Sequence, residues 1–139
     1  MDPDLVKLAE LISTRNEIVT RISSITNRPA SIGHTGEYIA SKIFDIQLEE
    51  SASHKASDRT FQSGSLAGNS VNIKWYGKHD SLLDITPEAF PDYYLVITGE
   101  ESPPASSRGA IRPWIISRVF LFDAKALISR LRPFLHIFR

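Results

Sequence analysis

Ser70-Val71-Asn72-Ile73-Lys74-Trp75-Tyr76 (SVNIKWY) is the stretch from which the fold is read. Apolar Val71, Ile73 and Trp75 alternate with Asn72, Lys74 and Tyr76, and a period of two is the signature of a strand that covers one face. Asn72 and Lys74 therefore share the other face. Just upstream, Gly64 to Asn69 has turn composition, and Asp58 to Gln62 reads as a first strand, so residues 58–76 are predicted to form a hairpin.

Working outward towards the N-terminus, Glu49 to Ser57 is polar and reads as a loop. Ahead of it a helix is predicted over about Gly36 to Phe44, with Ile39, Ala40, Ile43 and Phe44 on its buried side and the Gly33-His34-Thr35-Gly36 turn leading in. Residues 3–26 form a long amphipathic helix. Asp2 caps it, Pro3 suits its first turn, and Asn27-Arg28-Pro29 stops it. Its apolar residues, Leu5, Leu8, Leu11, Ile12, Ile18, Val19, Ile22 and Ile25, recur at spacings of three and four. Such a stripe either packs on its own domain or serves as a dimer arm, and a homodimer through residues 3–26 is one partner reading of the chain.

Towards the C-terminus, Leu82 to Ile85 reads as a short strand or turn. Asp92 to Thr98 (DYYLVIT) is apolar almost throughout, as a strand covered on both faces should be. Glu100 to Ala110 carries Pro103 and Pro104 and reads as an exposed loop. Trp114 to Phe122 reads as another buried strand, and Asp123 caps a last helix that runs through Leu131 and ends at Pro133. The expected class is thus α/β, a central mixed sheet flanked by helices, with an extra amphipathic helix in front. The whole chain, residues 1–139, reads as a single domain. Residues 132–139 form an apolar tail that either packs back or leads into a longer chain.

Composition narrows the function classes. Hydrophobic residues make up 42% and charged residues 23% of the 139, enough apolar material for a core. Cysteine is absent, which removes disulfides and thiolate metal sites and makes a reducing, cytoplasmic setting the natural expectation. No apolar run approaches the ~20 residues that cross a bilayer, so no membrane partner is expected. The start MDPDLVKLAE lacks the basic and apolar regions of a signal peptide. Sixteen basic residues balance sixteen acidic ones, whereas duplex-binding modules usually carry a basic excess.

The predicted layout brings several polar residues together. Asp58 enters the first hairpin strand beside Asn72 and Lys74, and Glu37 stands in the first turn of a helix, where the dipole favours a carboxylate. Carboxylates, an amide oxygen and a backbone carbonyl suit a hard cation such as Mg²⁺ or Mn²⁺, and a neighbouring lysine can stabilise charge on a phosphoryl group. His34, His54 and His79 show no ligand spacing, no nucleophile-elbow motif is present, and Gly33 and Gly36 form only a GxxG.

Glu37 on a helix, Asp58 entering a strand, and Asn72-Ile73-Lys74 on the paired strand resemble the PD-(D/E)XK nuclease superfamily, which includes restriction enzymes and Holliday-junction resolvases. The resemblance covers residues 32–131, with gaps of 21 and 14 residues between the three points. It implies a restriction endonuclease-like core and metal-dependent hydrolysis of DNA or RNA phosphodiesters, in a defence, restriction or repair setting. Asp58 would then be the central metal ligand, with the Ile73 carbonyl, Asn72 and Glu37 completing the shell. Lys74 would activate the water, and Lys74, Glu37 and Asp58 would be the catalytic set, with His34, Tyr38 and Tyr76 beside them. Two positions depart from the pattern: Asn72 replaces the expected acid, and Ser57 stands where a proline precedes the aspartate. Lys55, Arg59, Tyr76, Lys78, Arg108 and Arg112 are candidate nucleic-acid contacts, with Arg118, Trp75 and Trp114 near them.

Each of these residues has a plainer reading. Lys74 on a strand edge can serve as a guard against aggregation, Asp58 as a turn residue, Glu37 as a helix-start charge and Asn72 as a backbone partner. The alternative to an enzyme is therefore a catalytically inactive nucleic-acid-binding, protein-interaction or dimerisation domain that keeps the nuclease fold.

Overall fold

Asp2 accepts a hydrogen bond from the Asp4 amide at 2.8 Å, and Pro3, which lacks an N–H, begins helix α1 (Pro3–Thr26). The computed structural model describes residues 1–48, 59–77, 83–100 and 113–135. Asn27 ends α1 in the left-handed conformation, with φ 55°. The helix has the bounds expected from its sequence, and only its C-terminal end is covered, with Thr26 buried. Every residue from Pro3 to Ile18 is exposed, and α1 contributes to neither core cluster.

Helix α2 (Ile32–Phe44) starts a full turn earlier than expected, because the Ser31 hydroxyl accepts from the His34 amide and caps it. Gly33 to Gly36 are thus helical, not a lead-in turn. Two short strands follow, β1 (Ile46–Gln47) and β2 (Thr60–Phe61), paired antiparallel. The expected hairpin between residues 58–62 and 70–76 is not a ladder. Its partners meet only at the isolated bridge Thr60–Ser70, with the Val71 amide donating to the Arg59 carbonyl at 2.9 Å.

The main ladder of β3 (Val71–Tyr76) is instead with β4 (Tyr93–Thr98), in parallel, and β4 pairs antiparallel with β5 (Arg118–Asp123). The result is a mixed three-stranded sheet in the order β3-β4-β5. Ser70 and Asp92 set its register. The Asp92 carboxylate accepts from the Ser70 amide at 2.9 Å, and the Asp92 amide donates back to the Ser70 hydroxyl at 2.9 Å. Residues 83–85 form no strand, although Leu83 and Ile85 pack on the sheet.

The strand alternation then sorts the core into two clusters. Val71, Ile73, Trp75, Leu95 and Ile97 face α2, meeting Ala40, Ile46 and Phe61. Tyr94 and Val96 face the other way, towards Ala124 of helix α3 (Ala124–Leu135) together with Tyr76, Phe120 and Phe122. The central strand β4 is buried on both faces, as its unbroken apolar run requires. β5 differs from expectation: it is shorter than residues 114–122 and lies at the sheet edge, with Val119 and Leu121 nearly half exposed. α3 continues through Pro133 to Leu135, with the Asp123 carboxylate accepting from the Ala126 amide at 2.9 Å. Among the described residues no helix is long and apolar enough to cross a membrane.

Candidate functional site

Asn72 and Lys74 stand in register with Tyr94 and Val96, and so project from the α3 face of the sheet. Both are half-buried there. Between them, Ile73 pairs in register with Leu95 and sends its side chain into the opposite cluster, under α2. Tyr76, the last residue of the strand, packs in the α3-side cluster, where its hydroxyl accepts from the Asp84 amide at 3.2 Å.

Glu37 belongs to α2, on the Val71-Ile73-Trp75 side. Its neighbour Gly36 fixes how closely that helix lies: a Cβ at position 36 would come within 2.9 Å of the Trp75 Cβ. The Glu37 carboxylate is divided between two guanidinium groups. Oε2 accepts from Arg28 Nη1 and Oε1 from Arg59 Nη2, each at 2.9 Å. All three side chains are 11–15% exposed, so the network is largely withdrawn from water. The Arg28 guanidinium also lies 3.4 Å from His34 Nδ1. Charge-assisted bonds of this kind are short and directional, and both carboxylate oxygens are already engaged.

The sequence-predicted set is thus divided by the sheet. Asn72 and Lys74 share one face, and Glu37 stands on the helix that covers the other, held there by two arginines. Asp58 lies outside the described residues, as do Lys55, Lys78, Arg108 and Arg112. Arg59, expected to contact nucleic acid, is committed to Glu37, and its buried Nε has no hydrogen-bond partner. Tyr38 lies beneath the ammonium of Lys42, which stands 5.4 Å from the ring centroid. Among the described residues no group of three or more His, Asp or Glu is arranged to hold a metal.

Two clefts among the described residues are lined by neither Asn72 nor Lys74. A polar one of about 530 Å³ lies between Arg28, Tyr38, Lys42 and Leu48, and an apolar one of about 380 Å³ lies beside Phe44, Phe61, Val119 and Leu121. Burial raises the Tyr94 phenol above its usual 10.0, partly offset by a hydrogen bond with the Thr86 backbone.

Sequence reasoning missed the two arginines that hold Glu37. Arg28 follows the stop of α1 and Arg59 lies beyond a polar stretch, and no spacing rule links either to residue 37. The one signal was negative: Glu37 had no basic partner at helical distance, yet sat in the turn that packs on the sheet.

No family model matches the chain, and neither does any curated protein or solved structure.

Proposed function

We propose that this chain is a non-catalytic interaction domain built on a nuclease-type α/β scaffold. The observation that carries the reading is the double engagement of Glu37. Each oxygen of this carboxylate accepts from an arginine, and a hard cation at either remaining lone pair would bring its charge beside two guanidinium groups. The loss of charge at Asn72 acts in the same direction, since an amide oxygen is a weaker ligand than a carboxylate for Mg²⁺ or Mn²⁺. The exposed apolar side of α1 supplies the surface that an interaction domain requires.

The other reading, metal-dependent hydrolysis of DNA or RNA, draws its support from Asn72 and Lys74 sharing one half-buried face. Incubating the protein with single- and double-stranded DNA and RNA, in Mg²⁺ and in Mn²⁺, separates the two. The non-catalytic reading expects no cleavage with either metal. Cleavage that disappears in Lys74→Ala overturns it in favour of hydrolysis.

A further inference from the structure

We infer that the polar cleft between the end of α1, the last turns of α2 and β1 binds a small organic phosphate. The inference goes beyond the interaction-domain reading and does not depend on it. Asn27, which ends α1, and Arg28 line the cleft together with Tyr38 and Lys42 of α2, and Ile46 and Leu48 supply apolar lining. Among the described residues the lining holds two cations and no carboxylate. Its volume of about 530 Å³ lies within the ~300–1,000 Å³ of small-molecule sites, room for an organic body beside an anionic group.

Two helices end beside this cleft, and their carbonyls would oppose an anion if left open. Several are already engaged. The Ser23 carbonyl accepts from the Asn27 amide at 2.8 Å, the Ser41 carbonyl from the Asp45 amide, and the Tyr38 carbonyl from the Ser41 hydroxyl at 2.6 Å. The Thr26 hydroxyl is closed on its own neighbour, accepting from the Arg28 amide and donating to the Arg28 carbonyl, each at 3.2 Å. With these acceptors occupied, the cleft is richer in donors.

Lys42 is the first of them. Its ammonium stands over the Tyr38 ring, 5.4 Å from the centroid, and makes no ion pair among the described residues. A ring face restrains an ammonium without cancelling its charge. Asn27 is exposed, and its side-chain amide makes no hydrogen bond among the described residues. Arg28 adds a guanidinium fixed in place by Glu37 at 2.9 Å. An ammonium, an amide and a guanidinium from separate positions suit the three oxygens of a phosphate monoester better than the two coplanar oxygens of a carboxylate. Ile46 and Leu48 then take the organic part.

Titrating phenyl phosphate into ¹⁵N-labelled protein tests the site, with benzoate as the planar-anion control and Lys42→Ala and Asn27→Gly as variants. Lys42 is exposed, and glycine keeps the left-handed conformation of Asn27, so both variants should fold as the native chain does, which circular dichroism checks. Saturable shifts at the Asn27, Lys42 and Leu48 amides are expected with phenyl phosphate, and weaker binding of benzoate. Both variants should bind phenyl phosphate less tightly, Lys42→Ala by about five- to tenfold. No shifts at these amides at millimolar phenyl phosphate, benzoate binding as tightly, or an affinity unchanged in either variant overturns the inference.

Discussion

Gly36 of α2 lies against Trp75 of β3 so closely that a Cβ on the glycine would meet the Trp75 Cβ at 2.9 Å. This contact seats α2 on the Val71-Ile73-Trp75 face and thereby separates Glu37 from Lys74. Gly36→Ala should cost about 1–3 kcal/mol through overpacking. Gly33, one turn earlier, has open space around it, so Gly33→Ala should stabilise the protein by ~0.5–1 kcal/mol by adding helix propensity without a clash. Urea midpoints for the two variants should move in opposite directions.

Glu37 holds Arg28 and Arg59 in a nearly dry network, and removing its charge takes the shared carboxylate from both guanidinium groups. Glu37→Gln should destabilise the fold by about 1–3 kcal/mol. Were Glu37 a site carboxylate free for a metal, its neutralisation would leave stability unchanged or raised. Thermal melts of the variant distinguish the two.

Leu95 and Ile128 are 1% exposed and lie on opposite sides of the structure, Leu95 in the α2-side cluster and Ile128 on α3. Leu95→Ala and Ile128→Ala should each cost ~2–5 kcal/mol. Coincident loss of both helices and sheet in one transition, followed by circular dichroism and Trp75 fluorescence, is expected for each.

Tyr94 ionises above the usual tyrosine value because its ring is buried against Val96 and Ala124. The unfolded chain therefore loses this proton first as pH rises. The stability contributed by the neutral phenol is complete below about pH 10 and is lost as pH climbs through the raised folded value. An ultraviolet titration should show one late-ionising tyrosine, absent in Tyr94→Phe, whose alkaline unfolding should be correspondingly less steep.

Much of the fold was legible because local chemistry and tertiary structure agree. Asp2-Pro3 and Asn27 bound α1, the alternation of Val71, Ile73 and Trp75 places β3, and the unbroken run through Tyr94, Leu95, Val96 and Ile97 marks a strand buried on both faces. Pairing was not legible. Nothing local distinguishes a β3 that closes a hairpin with β2 from one that runs parallel to β4, a choice made by the Ser70–Asp92 clasp across 22 residues. Edge position escaped for the same reason, since Val119 and Leu121 read as core from sequence and stand at the sheet margin. For the site, the shared face of Asn72 and Lys74 followed from the period of two. The side of the sheet taken by Glu37 did not, because it depends on which strand face Gly36 approaches.

The separation of Glu37 from Lys74 is tested most directly by titrating Mn²⁺ into ¹⁵N-labelled protein and following paramagnetic broadening of amide signals. No selective broadening shared by Glu37 and the Asn72–Lys74 segment is expected. Concerted broadening of Glu37, Asn72, Ile73 and Lys74 at low metal concentration would contradict this separation, because a single cation would then be reaching residues on both faces of the sheet.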